Sequence, residues 1–137
     1  MTKLRNPFAV QIVFTGGRAE GSRSATVLLV DDEILVRFAT AEMLRDAGYE
    51  VIEAASGPSA RELVRAGLTP DILVSDQLMP GMKGNELAAE LGEALPGLRV
   101  LLATGYTDLP DLNLPRISKP FGAAELVERV RALIEEA

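Results

Sequence analysis

Asp71-Ile72-Leu73-Val74-Ser75-Asp76-Gln77-Leu78-Met79-Pro80-Gly81-Met82-Lys83-Gly84 is the stretch whose reading decides the fold. It starts as a short apolar, β-branched run with almost no polar alternation, the pattern of a strand covered on both faces in a parallel sheet. Asp76 stands where that run gives out. A Pro-Gly turn follows at Pro80-Gly81, and Gly84 precedes a helical pattern. In open α/β sheets ligands collect beyond the carboxyl ends of the strands, so Asp76 occupies a place where chemistry is expected. Alone, it reads equally well as a loop acid or a helix N-cap.

Composition narrows the chemistry before any motif does. The 137 residues suffice for one domain with a real core. Fourteen basic against twenty acidic residues give a net charge of −6, which argues against nucleic acid as a direct partner. There are no cysteines and no histidines, so thiolate chemistry, Ser-His or Cys-His catalysis and histidine-ligated metals are all excluded. Any metal must take oxygen ligands, which favours magnesium, calcium or manganese. No apolar run approaches the roughly 18 residues of a membrane span, so no membrane partner is expected.

Outward from the opening stretch, strands and helices alternate. Residues 1–24, with a short apolar run at Phe8–Phe14 and then several glycines, read as a flexible N-terminal leader. No signal-peptide pattern is present, because the run is short, interrupted by Gln11 and not followed by a small-residue cleavage site. Residues 25–137 read as the folded domain. Thr26–Val30 is the first strand and ends in Asp31-Asp32-Glu33. A helix follows to about Ala47 and stops at Gly48, with Val36, Ala39, Thr40, Met43, Leu44 and Ala47 as its predicted buried face. Glu50–Ala54 is the second strand, and Gly57-Pro58 opens a helix closed by Gly67. After the third strand, a helix runs from about Asn85 to Glu93. Leu98–Ala103 is the fourth strand, followed by Thr104-Gly105, and Pro115–Ser118 the fifth, followed by Lys119-Pro120-Phe121. The last helix spans about Ala123–Glu135.

This order predicts an α/β fold: a doubly wound, five-stranded parallel sheet of flavodoxin-like type. One repeat is defective. Only 14 residues, Gly105 to Ser118, lie between Thr104 and Lys119, and prolines interrupt them, so the fourth helix is expected to be shortened or absent.

In such a sheet the strand ends share one edge, and there the sequence offers Asp31, Asp32, Asp76, Thr104 and Lys119. Three gathered carboxylates repel one another unless a cation neutralises them, and a hard divalent ion does so. Lys119 adds a mobile positive charge and Thr104 a hydroxyl. Together they describe a pocket for a phosphoryl group beside a carboxylate nucleophile. Singly, each has a bland reading: an acidic helix cap, an idle threonine, a surface Lys-Pro turn.

The acidic pair Asp31-Asp32, Asp76 with Met79-Pro80-Gly81-Met82-x-Gly84, Thr104, and Lys119-Pro120-Phe121 resemble the receiver domain of bacterial two-component response regulators from about residue 26 to 137. The resemblance implies that Asp76 accepts phosphoryl from a sensor histidine kinase or a histidine phosphotransfer protein. It implies a magnesium site, with manganese as an alternative, formed by Asp32, Asp76 and the Leu78 backbone carbonyl, with Asp31 acting mainly through water. Thr104 would bond a phosphoryl oxygen, Lys119 would pair with the phosphate, and Lys119-Pro120 would be cis. It further implies a cytoplasmic phosphoprotein that is no enzyme beyond its own phosphorylation and dephosphorylation, acting as a switch or a phosphorelay intermediate.

Departures from the family pattern carry their own expectations. The short fourth helix, with Leu102-Ala103-Thr104-Gly105-Tyr106, looks like the subgroup named for a Phe-Ala-Thr-Gly motif, although Leu102 replaces the phenylalanine. The position of the usual switch aromatic holds Arg116, leaving Tyr106 to cover the site. Leu78 brings no polar side chain to orient a hydrolytic water, which implies a long-lived aspartyl phosphate. On the first helix, Ile34 and Phe38 are expected to face outward and to dock on the kinase's histidine-bearing helices. Because the sequence stops after the last helix, a stand-alone receiver without an output domain is expected.

Three other readings compete. A haloacid dehalogenase-type hydrolase places a second Asp two residues after the nucleophile, where this chain has Leu78. A flavodoxin-like cofactor binder needs a phosphate loop where Asp31-Asp32-Glu33 stands. A pseudo-receiver serving only as a protein-interaction module would not need the full acid set.

Overall fold

The computed structural model describes residues 24–105 and 113–136. Five parallel strands, β1 Thr26–Val30, β2 Glu50–Ala54, β3 Ile72–Asp76, β4 Arg99–Thr104 and β5 Arg116–Ser118, form one sheet in the order β2-β1-β3-β4-β5. The described helices are α1 Ile34–Asp46, α2 Gly57–Arg65, α3 Gly84–Ala94 and α4 Ala123–Glu135. This is the doubly wound, flavodoxin-like sheet that the alternation predicts.

The unbroken apolar runs follow from burial on both faces. In β1, Val27 and Leu29 join a core with Ala41 and Leu44 of α1 and Leu126 and Val130 of α4. Their neighbours Leu28 and Val30 face the opposite way, into a core with Ala60 of α2 and Leu87, Ala88 and Leu91 of α3. Successive residues of a strand thus enter different cores, and neither set can be polar. Gly48 and Gly67 stop α1 and α2 at φ of 102° and 113°, where a side chain would be strained.

Eleven residues, 105–115, separate β4 from β5. The described ones among them form no helix, in keeping with a reduced fourth crossover; residues 106–112, including Tyr106, lie outside the described set. The expected leader also falls outside it, apart from Ser24.

The buried face of α1 differs from the expectation. Thr40, Ala41 and Leu44 are buried, whereas Val36, Ala39 and Ala47 are exposed and Met43 is half-buried. The inward stripe runs Arg37, Thr40, Ala41, Leu44, one residue on from the predicted phase at its start. Arg37 can take that place because its charge is paired. Its Nε lies 3.0 Å from Glu53 Oε1, and Nη1 donates to the Asp31 carbonyl at 2.8 Å. Ile34 and Phe38 do face outward, at 67% and 57% exposure, joined by Leu35 and Val36.

Candidate functional site

Register brings the acids together. Val30 pairs with Ser75 across β1 and β3, so the next residues, Asp31 and Asp76, end adjacent strands side by side. The chain leaves β1 for one edge of the sheet and β3 for the other, making this gap the topological switch point where ligands bind in such sheets. Asp76 in turn pairs with Ala103, which places Thr104 one step further along β4. The Lys119 backbone N–H donates to the Thr104 carbonyl at 2.9 Å, fixing the start of the β5–α4 loop.

The side chains converge accordingly. Asp31, Asp32 and Asp76 each offer a carboxylate oxygen, all within 4.8 Å of one another. Asp31 and Asp76 are buried and Asp32 is exposed, so the cluster opens to solvent on the Asp32 side. Lys119 Nζ lies 2.7 Å from Asp76 Oδ1, and that buried oxygen finds no other donor among the described residues. The Lys119-Pro120 bond is cis. Asp31 Oδ1 accepts from the Glu33 N–H at 2.9 Å, which closes the turn into α1.

Burial holds the Asp76 carboxyl above its ordinary range; Lys119 opposes this, while Asp31 and Asp32 add to it. Asp31 is likewise raised by burial, against the Glu33 amide and Lys119, with Asp32 and Glu33 adding to the rise. Burial alone would lower the Lys119 ammonium, but Asp76, Asp31 and Glu33 outweigh it and the ammonium is raised. One lysine therefore under-compensates a cluster of three acids. An all-oxygen donor set, crowded and short of positive charge, with a buried carboxylate oxygen that has Lys119 as its one donor among the described residues, suits a hard divalent cation.

The remaining candidates are spread around this cluster. Thr104 is buried at the end of β4. Leu78 lies two residues beyond β3 with its side chain 48% exposed. Arg116 begins β5, half-buried and in register with Leu102, so it stands within the sheet. Ile34 and Phe38 lie on α1, which starts three residues after Asp31.

Three contributors escaped the sequence reading: Arg37, which braces the Asp31 carbonyl, and Gln77 with Asn85. Gln77 is fully buried beside Asp76. Its Nε2 donates to Asn85 Oδ1 at 2.7 Å, and the Asn85 N–H donates to Gln77 Oε1 at 2.9 Å. A lone polar residue between an apolar strand and a turn gives no periodic signal. Arg37 gave no signal either, because the predicted phase of α1 leaves it off the inward face.

Comparison with known proteins agrees with this geometry. Residues 27–131 match the family model described as response regulator receiver domain. Sensor kinase CckA of Brucella abortus is 40% identical over 123 residues, covering 84% of this chain and 13% of that protein. Sporulation initiation phosphotransferase F of Bacillus subtilis is 29% identical over 77% of this chain and 90% of its own length. The chain spans 52% of the transcriptional regulatory protein TcrX of Mycobacterium tuberculosis, at 35% identity. Among solved structures, the receiver domain of the hybrid histidine kinase CckA superposes with a TM-score of 0.72 at 34% identity, covering 81% of this chain and all of that one. A putative response regulator from Chloroflexus aurantiacus gives 0.74 at 33%, covering 83% of this chain and all of its own. With the strand-end acids and lysine in place and the family model matched over residues 27–131, the chain belongs to the response regulator receiver domain family.

Proposed function

We propose that the protein is a phosphoryl-accepting receiver in which Asp76 takes phosphoryl from the phosphohistidine of a sensor kinase or phosphotransfer protein. The observation that carries this reading is the convergence of Asp31, Asp32 and Asp76 within 4.8 Å, with Lys119 2.7 Å from Asp76. A carboxylate oxygen of Asp76 attacks phosphorus while the phosphorus–nitrogen bond of the donor breaks, and the imidazole leaves. The Lys119 ammonium, already at the carboxylate, pairs with the incoming phosphoryl oxygens, and the Thr104 hydroxyl donates to one of them. Asp32, Asp76 and the Leu78 carbonyl would hold magnesium or manganese, with Asp31 acting through water. The bound ion supplies charge neutralisation at the transferring phosphoryl group.

The receiver unit occupies residues 25–137, and its work is cytoplasmic signalling, as a switch or a relay intermediate. Among the described residues no helix is long and apolar enough to cross a membrane. Ile34 and Phe38, exposed just beyond the acidic turn, are the docking residues for the donor's histidine-bearing helices. Leu78 has no carboxylate to offer at the position where an aspartyl-phosphate hydrolase carries its second acid.

The test is incubation of wild type and Asp76→Asn with magnesium and acetyl phosphate, followed by intact mass. One phosphoryl addition on wild type and none on the variant is expected. Absence of addition on wild type, or equal addition on both, overturns the assignment.

A further inference from the structure

Helix α3 is capped twice at its N-terminus: the Lys83 N–H donates to Glu86 Oε1 at 2.8 Å, and Gln77 holds the helical groups that follow. Its flanking residue, Lys83, makes no side-chain cap hydrogen bond. The first two helical N–H groups instead donate to a single residue seven and eight positions earlier. Gly84 N–H donates to the Gln77 carbonyl at 2.9 Å, and Asn85 N–H to Gln77 Oε1 at 2.9 Å. Gln77 Nε2 returns a bond to Asn85 Oδ1 at 2.7 Å, and the Gln77 N–H continues the ladder to the Ala103 carbonyl at 3.0 Å. Backbone and side chain of this fully buried residue are thus both held, one to β4 and the other to α3.

Gln77 stands between Asp76 and Leu78, the two residues of this loop that the proposed cation site uses. The Asp76 carbonyl is also held, accepting from Ser75 Oγ at 2.9 Å. Resting on that reading, we infer that Gln77 is a positioning residue: its reciprocal amide pair with Asn85 locks the Asp76–Leu78 segment to α3 and sets it in cation-binding geometry before the ion arrives. An apolar side chain of equal size would strand the Asn85 N–H and remove the lock. Groups that orient metal ligands without touching the metal typically contribute on the order of ten- to a hundredfold in metal affinity.

The experiment is a magnesium titration of the full chain by calorimetry, with melting temperature measured in parallel. Gln77→Met keeps the volume and removes both side-chain bonds, and we expect its magnesium Kd to rise by about tenfold or more. Asn85→Asp retains an acceptor for Nε2 and the N–H for Oε1, so it should bind nearly as wild type does. Asn85→Ala should weaken binding by an intermediate factor, with no further loss when added to Gln77→Met. Leu91→Val thins the contact of α3 with the sheet; it should lower the melting temperature and leave the Kd unchanged. Should Gln77→Met fail to fold, the two Asn85 variants still decide the matter. A wild-type Kd in Gln77→Met, or in Asn85→Ala, reduces the pair to an ordinary helix cap and overturns the inference alone. A wild type that binds no magnesium overturns the receiver reading and the inference together.

Discussion

Replacing Gly84 by alanine puts the junction between the phosphoacceptor strand and α3 to a quantitative test. A Cβ there would lie 2.5 Å from the Asp76 carbonyl oxygen, 3.1 Å from Gln77 Cα and 3.1 Å from Leu102 Cδ2. Two of these atoms are backbone, and the third belongs to a fully buried side chain, so none can move aside freely. Overpacking of this kind costs about 1–3 kcal/mol, while removing a glycine from a helix returns up to ~1 kcal/mol. A 2.5 Å contact with backbone puts the cost in the upper half of that range, about 2–3 kcal/mol, so the net loss is about 1–2 kcal/mol. At roughly 4 °C per kcal/mol for a domain of about a hundred residues, the melting temperature should fall by roughly 4–8 °C. Gly92 supplies the internal control: it lies in the same helix, and a Cβ there meets nothing within 4 Å. Gly92→Ala should therefore stabilise, by about 0.5–1 kcal/mol. Thermal melts of the two variants, with phosphorylation by acetyl phosphate alongside, form the assay. Gly84→Ala should also slow phosphorylation, since its clash falls on the Asp76 carbonyl, and Gly92→Ala should not. A Gly84→Ala protein as stable as wild type and equally quick to take phosphoryl would refute the reasoning.

Other outcomes follow from the charge and surface of the site. Because the folded-state pKa of Asp31 is raised above 3.8, the folded protein holds that proton to higher pH than the unfolded chain, and stability is lost as pH rises through this window. Asp31→Asn should therefore be more stable than wild type at neutral pH without magnesium, with an advantage that shrinks as pH falls toward 4; urea melts showing a gap that widens on acidification would contradict this. Magnesium at a hundred times its Kd should stabilise wild type by about 2.7 kcal/mol, and Asp76→Asn by clearly less, as read from melting curves. Phe38→Asp should slow phosphotransfer from the cognate kinase while leaving acetyl phosphate labelling intact; equal kinase rates would remove Phe38 from the docking surface. The aspartyl phosphate should persist for minutes or longer, and decay within seconds would count against the role given to Leu78.

Much of this structure is legible in the sequence because parallel strands leave a strong imprint. Val27–Val30 and Ile72–Val74 must be apolar at every position to serve two cores, so the polar residues that end them stand out. Asp31, Asp76, Thr104 and Lys119 are visible for that reason, and the parallel topology alone sends them to one edge. The phase of α1 was not legible. Ile34, Leu35, Val36 and Phe38 make its first turns apolar on several sides, and the inward side there is taken by Arg37, whose pairing with Glu53 is a tertiary contact. The Gln77–Asn85 pair was hidden for a related reason, since its partners are eight residues apart across a loop and obey no helix or strand period. Arg99 is similar: from β4 it donates to the Leu133 carbonyl at 2.9 Å and also reaches the Glu136 carbonyl, holding the end of α4 through a long-range contact that propensity cannot anticipate.

The brevity of β5 bears on how molecules of this kind avoid one another. It contributes three residues to the border of the sheet, and Pro115 just before it and Pro120 two residues after it carry no amide proton. A foreign strand laid along that border would find too few donors to zip up. On the β5 side of the sheet, crowded copies are thereby denied a seam along which to stack into fibrils.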